Sequence, residues 1–328
     1  MTKILYFDHF SAATEFYRLM PLEYLKSDQF TITRSTEKNI NMMVIEPYDV
    51  IIFSRPSSEA HVNAIKLCKD QHKKVIGDFD DDILHVPQEN PMYATYEIEK
   101  SNSIKCLAMC DELWVATDGI KKSYRLYNKN IHIIPNAHND TIFPVKNKKP
   151  FEFNKVAMWR GGGSHIGDIY APKVTEYIID MINSNPVWKF YSLGQRFEFI
   201  EYRLTESNYY RNDGASTIQF YKMMQEFQPC AFYYPLNSNI FNQGKSNCSF
   251  LESVYSGAAY FGNTDLSEIQ KPGVMHYMEL KDMMRMSDKK LAKILDSNHK
   301  KSWQYIEQHL LLSKINLRRL SRLTKFVS

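Results

Sequence analysis

Cysteine is sparse in this chain, and no cysteine pair has the spacing of a metal site. Cys68, Cys106, Cys110, Cys230 and Cys248 make an odd count with no CxxC. That pattern argues against a disulfide framework or a zinc cluster and for reduced thiols. Cys106 and Cys110 fall one turn apart on an expected helix, where buried apolar thiols are the plain reading. Long apolar runs are missing as well: none reaches the roughly 18 residues of a membrane span, and the one in MTKILYFDHF is too short for a signal peptide. The expected location is the cytoplasm. Internal repeats and low-complexity tracts are lacking, which excludes solenoids and arrays. Charge of one sign is scarce too, at a net +4, and 44% hydrophobic with 24% charged residues is ordinary for a soluble globular protein.

What is there is an alternation. Candidate strands are KILYFD (3–8), FTITR (30–34), DVIIFS (49–54), KVIGDF (74–79), ELWVAT (112–117) and IHIIPN (131–136). Helical patterns such as ATEFYRLMPLEYLK and SEAHVNAIKLCKDQH lie between them. Such spacing predicts βαβ units and parallel sheets covered on both faces. A polar, aperiodic break at VKNKKPFEFNK (145–155) reads as a linker. The alternation then restarts with KVAMWRG (155–161), VWKFYSLG (187–194), CAFYYPL (230–236), AAYFGN (258–263) and a weaker GVMHYME (273–279). From Ser287 the pattern is helical to the end. The expected fold is α/β: two Rossmann-like doubly wound domains facing a central cleft, followed by a long C-terminal helical segment. The boundaries are an N-terminal domain at 1–148, a C-terminal domain at 149–298 and a basic helical tail at 299–328 that packs back on the N-terminal domain. At 328 residues the chain is long enough for two such cores.

Ligands of doubly wound sheets bind at the carboxyl ends of strands, so motifs there carry most weight. In FNQGKSNCSFLESVYSG (241–257), a loop bearing Lys245, Ser246 and Asn247 runs into a helix carrying Glu252 seven residues after the lysine. Free N–H groups and the positive dipole end of a helix start suit a phosphate, and a lysine and a carboxylate nearby suit a phosphate and a sugar diol. Gly244-Lys245-Ser246 imitates the end of a Walker A loop, but Asn239 stands where that loop needs a glycine, so an ATPase of that type is excluded. At the first strand of the second domain, Arg160, Gly161, Gly162, Gly163, Ser164 and His165 combine a guanidinium with a glycine turn that lets backbone amides approach an anion. Gly194 ends the next strand.

On the N-terminal side, Asp78, Asp80, Asp81 and Asp82 crowd the end of the fourth strand, with His85 close behind. Four carboxylates this close call for a raised pKa, a cation or basic partners. Asp8 and His9 end the first strand, where His9 is placed to act as general base for an acceptor hydroxyl. Tyr17 and Arg18 follow on the next helix and are expected to line the acceptor side. From Lys300 to Ser328 the chain holds Lys300, Lys301, Lys314, Arg318, Arg319, Arg322 and Lys325 against Glu307 alone. That tail suits phosphates or an anionic membrane, or is simply a solvated helix face.

These residues, in this order, resemble a GT-B glycosyltransferase of the broad family 1/family 4 group. CDELWVATDGIKKSY (110–124) followed by IHIIPNAHNDTIF (131–143) is similar to that group's entry to the interdomain linker. The resemblance implies that Arg160 and Lys245 form the basic pair on a donor diphosphate and that Glu252 binds the ribose. It implies a nucleoside diphosphate sugar, by expectation a UDP-sugar, as donor substrate, with neither cofactor nor metal required. The chain departs from the group at Gly244, where many members carry a second glutamate, and at HFSAATEFYR, where many carry a glycine-rich loop. WRGGGSH with DFDDD also looks like glycosyltransferases of tailed bacteriophages. That narrower likeness implies 5-hydroxymethylcytosine in DNA as acceptor, with a cell-surface or lipid-linked glycan as the alternative and a non-catalytic sugar-nucleotide or nucleic-acid binder as a third reading. Asp80, Asp81 or His9 are then expected to position or deprotonate the acceptor.

Overall fold

A computed structural model describes residues 1–7, 12–36, 40–194, 196, 198–204 and 208–327. The first sheet comprises β1 (Thr2–Phe7), β2 (Phe30–Ser35), β3 (Val50–Ser54), β4 (Lys74–Phe79), β5 (Glu112–Val115) and β6 (Ile131–Ile133), in the order β2-β1-β3-β4-β5-β6. The second comprises β7 (Val156–Gly161), β8 (Lys189–Gly194), β9 (Tyr209–Asn212), β10 (Ala231–Tyr234), β11 (Ala259–Gly262) and β12 (Met275–His276), in the order β12-β11-β10-β7-β8-β9. Every pairing in both is parallel. The central strands are buried along their whole length, as VIIFS of β3 and AFYY of β10 are, because helices cover both faces.

Helix boundaries follow local chemistry. Ser58 caps Glu59–Asp70 in a capping box with His61, and Ser216 caps Thr217–Phe227 in another with Gln219. Three features depart from the sequence pattern. The segment read as one helix from Ala13 to Lys26 is broken: a π-helical turn at Glu15–Leu19 joins short α pieces, and it buries Phe16, Tyr17, Arg18 and Leu19 together. The expected GVMHYME strand is only two residues of β12 before a 3₁₀ turn. β9 was not foreseen, because as an edge strand it exposes Tyr210 and Arg211 and carries no apolar alternation.

Two apolar clusters flank the first sheet, one centred on Phe53, Phe79 and Leu113, the other on Ile4, Ile52 and Trp114. The second sheet has one larger cluster that also takes in Phe16, Tyr17 and Phe143 from the first half. The helix Asp288–His309 runs unbroken through residue 298 and lies against the second sheet; only then does the chain cross back. The final helix, Leu312–Val327, places Leu312, Ile315 and Leu323 in the cluster around Ile4 and Trp114, on the first sheet. Among the described residues no helix is long and apolar enough to cross a membrane.

Candidate functional site

The carboxyl ends of β3 and β4 face those of β7 and β10 across a cavity of about 380 Å³. From the second half it is lined by Arg160, Gly162, Ser164, His165, Tyr234, Lys245 and Ser246, and from the first by Arg55, Asp80 and Asp81. The loops hold this shape through close backbone approaches. Gly194, at φ +108°, lies so near Gly161 that a Cβ would sit 2.3 Å from the Gly161 carbonyl oxygen. Across the two halves, a Cβ on Gly119 would meet the Gln243 carbonyl oxygen at 2.0 Å, and Thr117 Oγ1 donates to the Gly244 carbonyl oxygen at 2.9 Å.

The charges here are paired. Arg160 donates from Nε to Glu252 Oε2 at 2.5 Å and bonds the other carboxylate oxygen as well. Burial works against the Arg160 charge, but Glu252 outweighs it and holds the guanidinium firmly protonated. Burial also raises the Glu252 carboxyl above its usual value, the arginine and Tyr17 offsetting only part of the desolvation. Glu252 is fully enclosed, and Tyr17 from the first half donates to its Oε1 at 2.7 Å. The carboxylate expected to take a ribose is thus occupied by Arg160 and Tyr17 and lies behind the wall of the cavity. Lys245 is buried over the Phe241 ring, with Nζ 3.5 Å from Asp81 Oδ1. Asn247, buried, donates to the Asn136 carbonyl oxygen at 3.4 Å and does not line the cavity.

The four aspartates resolve their repulsion through basic partners. Asp78 pairs with Arg18, Asp80 with Arg55, Asp81 with Arg55 at 3.1 Å and with Lys245, and Asp82 with His85 at 2.9 Å. Burial alone would raise the Asp80 carboxyl, but the charge and hydrogen bond of Arg55, with Arg18 and Thr14, bring it down to about 2. The hydrogen bond that His85 donates to Asp82 outweighs burial and raises the His85 imidazole.

The expected acceptor-side group therefore divides. Asp80 and Asp81 line the cavity, whereas Tyr17, Arg18, Asp78 and Asp82 are enclosed beneath it. Arg18 and Asp78 form a buried pair under the floor, with Arg18 also donating to the Ile134 carbonyl oxygen. Asp8 and His9 lie outside the described residues. Among the described residues no cluster of three or more His, Cys, Asp or Glu is arranged to hold a metal.

Arg55 escaped the sequence reading. It follows β3 directly, at φ +44°, a left-handed conformation costly for a side chain that bears a Cβ. A single basic residue at a strand's carboxyl end, just before Pro56, was the available signal.

Two parallel six-stranded sheets that meet at their strand ends around such a cleft, with C-terminal helices, define the GT-B architecture. Solved structures share it, among them the following three. A putative UDP-N-acetylglucosamine 2-epimerase from Listeria monocytogenes matches with a TM-score of 0.61 at 10% identity, over 99% of this chain and 96% of its own. Phage T4 BGT in complex with its UDP-glucose substrate matches at 0.55 and 12%, over 96% and 97%. S. aureus MnaA with UDP matches at 0.54 and 9%, over 94% of both chains. No protein-family model and no curated protein matches the sequence. The likeness is one of fold.

Proposed function

We propose that the protein is a glycosyltransferase that moves a sugar from a UDP-sugar to a hydroxyl. One observation carries this reading: a single cleft places Arg160, Lys245 and the glycine turn on one wall and Asp80, Asp81 and Arg55 on the other. The first wall suits a diphosphate and the charge that grows on it as leaving group. A phosphate entering there takes over Lys245 from Asp81. Asp81 then keeps Arg55 alone as its basic partner and is placed to accept the proton of an incoming hydroxyl, whereas the Asp80 carboxyl is held near 2 by its arginines. Fold likeness to proteins solved with UDP or UDP-glucose supports the choice of donor.

For the acceptor we propose 5-hydroxymethylcytosine in DNA, the reading that the phage-type sequence likeness supports. The tail offers this reading less charge than its residue count suggests. Arg319 is buried, Arg322 is paired with Glu112 at 2.5 Å and Lys300 with Asp296 at 2.6 Å. Salt dependence of DNA binding is therefore expected to be shallow for so basic a segment. A glycan acceptor is the alternative, and the likeness to the Listeria epimerase favours a second chemistry on the same donor, inversion of a sugar carbon without transfer. Incubation with UDP-sugars alone, with hydroxymethylated DNA and with glycan acceptors separates these readings. Sugar mass on the nucleoside supports the DNA acceptor, sugar on the glycan supports the alternative acceptor, an epimerised UDP-sugar without acceptor supports the epimerase, and no product under any condition defeats all three. Lys245→Ala is expected to lower turnover by about 10²–10³-fold with an unchanged circular dichroism spectrum; an unaltered rate removes the diphosphate assignment.

A further inference from the structure

The wall at the end of β10 carries a hydrogen-bonded chain that the transfer reading leaves unused. Asp168 Oδ2 lies 3.4 Å from His165 Nδ1, and His165 Nε2 lies 2.9 Å from the Tyr234 hydroxyl. All three residues are buried, and both His165 and Tyr234 line the cleft beside Arg160 and Lys245. Asp168 is itself fixed: its Oδ1 accepts from the Asn237 backbone N–H at 2.9 Å and from Asn242 Nδ2 at 2.7 Å.

The direction of each proton follows from the end of the chain inward. A carboxylate only accepts, so the His165 proton facing Asp168 sits on Nδ1. Burial, with the Lys245 and Arg160 charges nearby, lowers the His165 pKa below its usual value, leaving the ring neutral at pH 7. Its Nε2 then has only a lone pair, and the Tyr234 hydroxyl must spend its one proton there. The oxygen is left with accepting capacity alone. Arg160 and Lys245, on the same wall, are donors alone.

We propose that Tyr234 is a specificity residue of this cleft, its oxygen accepting a hydrogen bond from a hydroxyl of the bound nucleotide sugar, with His165 and Asp168 as positioning residues that fix its proton. This rests on the sugar-nucleotide reading above. A pocket built to pair with a substrate hydroxyl discriminates against analogues that lack it, because a buried polar atom is then left without its partner.

Isothermal titration with UDP, UDP-glucose and UDP-N-acetylglucosamine tests the assignment on wild type, Tyr234→Phe, His165→Phe and the double variant. Tyr234→Phe keeps the ring and removes only the oxygen; affinity for the better UDP-sugar is expected to fall about tenfold. If the partner hydroxyl is on the transferred sugar, UDP binds both proteins alike; if it is on the ribose, UDP loses the same factor. The double variant is expected to be no weaker than Tyr234→Phe, since His165 acts through that oxygen. With the wild-type protein, deoxy analogues of the better donor locate the hydroxyl without any substitution, one of them losing the same tenfold. Wild-type-like affinity of a folded Tyr234→Phe for all three ligands overturns the proposal, as do losses that add in the double variant. Failure of the wild-type protein to bind any of the three defeats the sugar-nucleotide reading itself.

Discussion

At the scale of single residues, the cleft is lined by paired charges. Arg55 shows what such a pair contributes. It adopts an unfavourable φ and is matched to Asp80, whose folded pKa of about 2 lies below the roughly 3.9 of an unfolded aspartate. A carboxyl with a depressed folded pKa stabilises the fold above its unfolded pKa and loses that contribution as pH falls toward the folded value. The contribution at neutral pH is on the order of 2 kcal/mol. Arg55→Gln is therefore expected to be less stable than wild type by that order at pH 7. The gap should narrow as pH drops from about 4 toward 2. Urea unfolding at pH 7 and pH 3 measures it, and an equal gap at both values contradicts the assignment.

At the scale of elements, the buried strands were legible because a parallel sheet covered on both faces needs runs such as VIIF and AFYY, and few other structures do. The cationic candidates were legible for a related reason: Arg160 stands at the end of a strand, and Lys245 in the loop that opens a helix. Their partners were not. Arg160 finds Glu252 across 92 residues and Tyr17 finds it across 235, distances over which no local pattern reports. The π turn that carries Tyr17 was equally hidden, since its apolar spacing reads as an ordinary helix. The final helix gives the element-scale prediction. Leu323 is fully buried against the first sheet. Leu323→Ala is expected to cost about 2–5 kcal/mol through lost contact and a residual cavity, measured by denaturant unfolding. A change under about 0.5 kcal/mol would mean that this helix is not docked.

At the scale of the whole molecule, the two halves are joined by the apolar packing of Phe16, Tyr17 and Phe143 on the second core and by polar contacts around the cleft. Tyr17 makes a buried one, donating from one half to an enclosed carboxylate of the other. Tyr17→Phe is expected to destabilise by about 1.5–3 kcal/mol, the worth of a hydrogen bond to a charged group, read from the unfolding midpoint. Stability unchanged within error would show that Arg160 alone satisfies Glu252. The chain also passes between the sheets twice, once after β6 and once before the final helix, and the two passages touch. The His138 N–H donates to the Leu310 carbonyl oxygen, and the Leu312 N–H to that of His138, both at 2.8 Å. Two tethers laced side by side resist twisting far better than a single strand and leave bending as the easy motion. A protease cut in either one would leave the halves joined by the other.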